Sequence, residues 1–113
     1  MGKYKFFSDA GHSWLQVPAR EVTELGIDIS KHSYVDRSSG MFYLEEDADV
    51  KSFIEAKMGI TDDAVYSAPP DLPKIISEWC RENTEDAPYE ENSFVRDLEP
   101  VSGYLIITER KNG

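Results

Sequence analysis

The chain has 113 residues, with 12 Lys and Arg against 22 Asp and Glu, for a formal net charge of −10 at neutral pH and a pI near 4.5. That length accommodates one compact domain over residues 1–113, and 40% hydrophobic with 12% aromatic residues supplies a core that a disordered acidic tail lacks. The charge excludes general binding to DNA, RNA or an anionic membrane face, because each demands basic surface.

No apolar run approaches the roughly 18–20 residues of a membrane span, and residues 1–9 carry no apolar stretch of the secretion-signal type. The expected setting is cytoplasmic. Cys80 is the single cysteine and cannot close a disulfide within the chain, in keeping with a reducing compartment.

In chain order, Lys3 to Phe7 and Ser13 to Val17 alternate as strands around the turn residues Asp9-Ala10-Gly11, which predicts an opening hairpin. Pro18 then starts a short helix over Ala19 to Leu25 that Gly26 ends as a left-handed cap. Ser33 to Arg37 and Met41 to Glu45 flank Ser38-Ser39-Gly40 and predict a second hairpin. From Asp47 the period changes. Val50, Phe53, Ile54 and Met58 follow helical spacing, with Asp47 or Asp49 as cap and Gly59 after the end. Val65 and Tyr66 read as a short strand before Pro69-Pro70, and Asp71 as the cap of a third helix with Leu72, Ile75, Ile76, Trp79 and Cys80 on one stripe. Glu85 to Asn92 reads as an acidic loop around Pro88, and Gly103 to Thr108 as a last strand. The implied class is α+β: an antiparallel or mixed sheet of four to six strands with three helices packed on one side.

Common catalytic signatures are absent, so an enzyme is not expected. The segment from Asp9 to Pro18 concentrates His, Trp and Ser, and on a strand His12, Trp14 and Gln16 share one face. A general acid or base role for His12 needs a partner, nominally Asp9, Ser13 or Asp36; a histidine beside a hairpin turn is more often a structural hydrogen-bonding group. Asp47-Ala48-Asp49 opens like a calcium loop, but Lys51, Ser52 and Met58 occupy positions where that loop needs a ligand, a glycine and a bidentate glutamate. A metal site would have to draw on His12, His32 and Asp36, which lack paired spacing, so neither metal nor cofactor is expected. Cys80 on the apolar stripe reads as a small hydrophobe.

The excess charge is concentrated. Residues 45–63 carry a net −5 and residues 78–99 a net −6, while the remainder sums to +1. Glu78, Glu82, Glu85 and Asp86 recur at i, i+4, i+7 and i+8, a row of carboxylates on a continued third helix. Four residues of helix rise about 6 Å, close to the phosphate step of a nucleic-acid strand, so such a row would suit a basic nucleic-acid channel. Acidic surface also serves solubility alone.

The pattern Asp9-x-Gly11-His12-x-Trp14-Leu15-x-Val17-Pro18, then Tyr34, then Tyr43-Leu44-Glu45-Glu46-Asp47-x-Asp49 resembles small proteins of phages, plasmids and other mobile elements, mostly without assigned function. The resemblance runs from Phe6 to Phe53 and carries over no catalytic residues. By analogy it implies an inhibitor of host defence of the anti-CRISPR or anti-restriction type. The resulting expectation is a non-enzymatic acidic binding protein. Its partner would be the basic surface of a host nucleic-acid-processing or defence protein, engaged through Glu78, Glu82, Glu85, Asp86, Tyr89, Glu90 and Glu91, with nucleic-acid mimicry as one mode of engagement. The alternatives are a small enzyme or ligand-binding module centred on His12 and Trp14, and an assembly protein that uses an exposed strand edge.

Overall fold

Alternation in the N-terminal half sorts side chains onto two faces of one sheet. The structure, a computed structural model, describes residues 4–47, 49–59 and 72–101. Strands β1 (Tyr4–Ser8) and β2 (Ser13–Pro18) form the first antiparallel hairpin, with Leu15 opposite Phe6 and Trp14 opposite Phe7. Helix α1 (Ala19–Leu25) follows Pro18 and stops at Gly26, whose φ of 66° closes the helix with bonds to the carbonyls of Val22 and Thr23. Strands β3 (Tyr34–Asp36) and β4 (Met41–Glu45) form the second hairpin, turning through Gly40 at φ 73°. Helices α2 (Val50–Lys57) and α3 (Leu72–Asn83) come next. Two short strands, β5 (Thr84–Asp86) and β6 (Glu99–Pro100), complete a mixed six-stranded sheet in the order β5-β1-β2-β4-β3-β6. The fold is α+β, as the pattern predicts.

On one face Leu15, Val17, Val35, Phe42 and Leu44 pack against Val22 of α1, Val50, Phe53 and Ile54 of α2, and Ile76, Trp79 and Cys80 of α3. All three helices therefore cover the same side. Each fully buried side chain of this size contributes about 2 kcal/mol by removal from water, which makes this layer the main source of stability. Tyr4 joins its elements: its ring stacks on Trp79 and meets Phe53 edge-on, while its hydroxyl donates to Glu21, which also accepts from Lys57 Nζ at 2.8 Å. Burial and the neighbouring Glu21 carboxylate raise the Tyr4 phenol above its ordinary pKa, so it remains a donor at neutral pH. Burial also pushes the Cys80 thiol up, in keeping with a small hydrophobe.

Trp14 and Tyr43 lie on the other face, where a 3-10 turn over Phe94–Asp97 brings Val95 onto them. Phe94 meets Phe7 and Tyr43 edge-on at centroid distances of 5.4 and 5.5 Å. The sequence marks no element at this turn or at β6, and the expected acidic loop, Glu85 to Asn92, begins on β5 instead.

The continued acidic helix is not formed. Asn83 Nδ2 donates to the Trp79 carbonyl and Thr84 Oγ1 to that of Cys80, so two side chains occupy the last carbonyls of α3. Glu85 and Asp86 lie instead on β5, which runs parallel to β1 with Glu85 beside Lys5. Neighbours on a strand point to opposite faces, so the carboxylate row at helical pitch is lost and only Glu78 and Glu82 share a helix. Asp49 sits at the N-cap of α2 but makes no side-chain cap. The expected strands at 65–66 and 103–108 and the Asp71 cap lie outside the described residues.

Candidate functional site

Three loop segments meet over the second face of the sheet, and each is tied down by a buried carboxylate. Asp9 is 7% exposed. Its Oδ1 accepts from the backbone N–H groups of Gly11 at 2.9 Å and His12 at 3.0 Å, which shapes the β1–β2 turn. Its carboxylate also takes the Arg96 guanidinium in a bidentate pair, through Nε and, at 2.9 Å, through Nη2. Asp9 thus joins the turn that carries His12 to the turn that carries Arg96. Asp49, 3% exposed, accepts from Ser30 N at 3.0 Å, from Ser30 Oγ at 2.8 Å and from Ser33 Oγ. Ser33 Oγ in turn accepts from the Glu45 N–H at 2.9 Å. This network holds the 30–33 segment, with Lys31 and His32, beside the end of β4.

The result is a cleft of about 370 Å³. Its walls are Trp14 and Tyr34 with the guanidinium of Arg96; His12, Lys31 and His32 stand around it, with Glu45 and Asp47 on the acidic side. Arg96 lies over the Trp14 ring at 5.3 Å, Tyr34 meets that ring edge-on at 6.2 Å, and His12 is tilted against it at 6.0 Å. Trp14 is 2% exposed, and its indole Nε1–H is buried without an acceptor among the described residues. An unpaired buried donor is uncommon in a folded protein, since it forgoes about 1–3 kcal/mol of hydrogen bonding.

The two sequence candidates His12 and Trp14 are brought together here. None of the nominal partners serves the His12 imidazole: Asp9 accepts from its backbone, Ser13 Oγ pairs with Ser8, and Asp36 accepts from Ser38. The nearest carboxylate is Glu45, with Oε1 3.6 Å from His12 Nδ1, long for a hydrogen bond. His12 and His32 share the cleft while Asp36 does not, and no group of three His, Cys, Asp or Glu among the described residues is placed to hold a metal. Lys31, Tyr34, Glu45 and Arg96 carry no local signal of membership; the pairing of Asp9 with Arg96 spans the chain.

The acidic candidates lie elsewhere. Glu82 is exposed at the end of α3, Glu78 is half-buried, and Glu85 and Asp86 are exposed on β5. The chain then follows β1, with Ala87 N–H donating to the Phe6 carbonyl at 2.8 Å and Glu90 N–H to that of Ser8 at 3.3 Å. Exposed Tyr89, Glu90 and Glu91 therefore extend the same sheet edge.

The Arg96 guanidinium, helped by the turn N–H groups, holds the Asp9 carboxyl well below the usual carboxylate range. A depressed folded-state pKa contributes stability that is complete above the unfolded value of about 4 and is lost as pH falls through the folded one. Asp9→Asn is thus expected to lower stability at neutral pH and to flatten the acid limb of the stability curve, read by urea unfolding at several pH values. An unchanged acid limb would deny the pair its role in joining the two turns.

No protein-family model, curated protein or solved structure matches this chain.

Proposed function

We propose that the chain is a non-catalytic binding protein whose ligand site is the cleft at His12 and Trp14. The observation that carries this reading is a cleft walled by the rings of Trp14 and Tyr34 and braced by two buried carboxylates, Asp9 and Asp49. The volume is of the order that holds a small molecule, for which about 300–1,000 Å³ is usual. Binding is favoured over catalysis because, among the described residues, the cleft walls offer no Ser, Thr or Cys nucleophile and His12 has no partner within hydrogen-bond distance to orient it as a base.

A ligand present at 100 times its Kd stabilises a folded protein by about 2.7 kcal/mol. A thermal-unfolding screen of small polar compounds is expected to find stabilisers whose effect Trp14→Phe abolishes, since that variant shortens the ring that walls the cleft. Stabilisation that persists in Trp14→Phe would place the ligand elsewhere.

A second reading retains the acidic surface as an inhibitor's interface with the basic surface of a nucleic-acid-processing or defence protein of a bacterial host. What favours it is Tyr89, 63% exposed, on a sheet edge with Glu85, Asp86, Glu90 and Glu91, with Glu82 exposed at the end of α3 that leads into it and no basic residue from 82 to 91. An aromatic anchor ringed by charge is a common interface composition. On this reading the edge engages the partner as a protein surface, since the helical phosphate-like spacing is gone. The triple variant Glu82→Gln, Glu85→Gln, Asp86→Asn is expected to fold normally and to lose at least about tenfold in association rate at low salt. The measurement is inhibition of an identified nucleic-acid enzyme captured from bacterial lysate; full inhibition by the triple variant would exclude this edge.

A further inference from the structure

We infer that the cleft takes a small zwitterion of the α-amino-acid class, with its carboxylate received beside Trp14 and Arg96 and its ammonium group beside Glu45 and Asp47. This inference rests on the cleft being the ligand site. It follows from which polar atoms in the walls still lack partners.

On the donor side, Asp9 engages Nε and Nη2 of Arg96, leaving Nη1 without a partner among the described residues. Lys31 Nζ likewise makes no ion pair among them. On the acceptor side, Glu45 uses Oε2 to receive the Asp47 N–H at 2.9 Å, while Oε1 has only the long approach of His12 at 3.6 Å. The Asp47 carboxylate is exposed and makes no hydrogen bond among the described residues. Guanidinium and carboxylate donors and acceptors of this kind give the strongest hydrogen bonds available to a ligand.

The walls carry Lys31 and Arg96 beside Glu45 and Asp47, and Asp9 offsets the Arg96 charge outside the lining. A simple anion entering the cleft meets Glu45 and Asp47, and a simple cation meets Lys31 and Arg96. Like-charge juxtaposition of this kind disfavours both. A molecule carrying one charge of each sign satisfies donors and acceptors together, and the ring faces of Trp14 and Tyr34 offer apolar surface for its side chain.

The test is calorimetric titration of the full chain with each of the common α-amino acids and with acetate, methylammonium and inorganic phosphate. The expected result is an amino acid that binds at least about tenfold more tightly than acetate or methylammonium, with Asp47→Asn weakening it about tenfold and leaving the protein folded. Acetate or phosphate binding as tightly as the best amino acid would overturn the zwitterion in favour of an anion site, and methylammonium doing so would make it a cation site. Heat from none of these, with Trp14-dependent stabilisation by other compounds in the thermal screen, would overturn the ligand class alone. Absence of any stabiliser in that screen would remove the cleft reading itself.

Discussion

Replacement of Phe53 by Ala is expected to destabilise the protein by about 4 kcal/mol, measured by urea unfolding, the cost of truncating a fully buried aromatic that leaves a cavity. Phe53 is 0% exposed and lies where α2, α3 and β1 converge, edge-on to both Tyr4 and Trp79. Small domains are stable by only about 5–15 kcal/mol, so this single change removes a large share of the total. Because Phe53 belongs to the helix-covered face and the cleft to the opposite one, protein that remains folded is expected to keep its ligand affinity. A loss below about 1 kcal/mol would mean that the helical layer is packed differently.

Asp49→Ala is expected to cost about 3 kcal/mol and to abolish binding in the cleft as well. The buried carboxylate accepts from both Ser30 donors and from Ser33 Oγ, and its removal leaves the buried Ser33 hydroxyl and the half-buried Ser30 donors without their acceptor. Ser33 is 0% exposed and also receives the Glu45 N–H, so the disturbance reaches the end of β4 and the segment bearing Lys31 and His32. Asp49→Asn keeps one acceptor oxygen and is expected to lose less stability. The two effects separate Asp49 from Phe53: both variants unfold more readily, whereas only Asp49→Ala changes the affinity of the molecules that stay folded. Equal affinities in the two variants would show that the 30–33 segment does not form the cleft.

Both N-terminal hairpins and all three helices are legible in the sequence because their signals are local. Asp9-Ala10-Gly11 and Ser38-Ser39-Gly40 are turn chemistry between alternating strands, and Val50, Phe53 and Ile54 mark a single helical face. Strands β5 and β6 are not legible, being three and two residues long and formed by pairing with distant segments. Extending the spacing of α3 past Asn83 counted Glu85 and Asp86 as helical although no apolar residue continued the stripe there. In the cleft, His12 and Trp14 are visible through strand alternation and His32 through its chemistry. Arg96 and Glu45 enter only through tertiary structure, where buried Asp9 draws one turn onto another and β4 ends beside the first hairpin. The surface charge is fully legible as composition, but its arrangement depends on where a helix stops.

The most direct measurement is the two-dimensional proton–nitrogen spectrum of the indole groups. The two tryptophans give two indole N–H signals, and Trp79→Phe assigns them. The account predicts that the Trp14 signal moves and saturates as an α-amino acid is added, while the Trp79 signal, from the helix-covered face, stays in place. A Trp14 signal unmoved by the amino acids and by every compound that stabilises the protein would contradict the cleft as its ligand site.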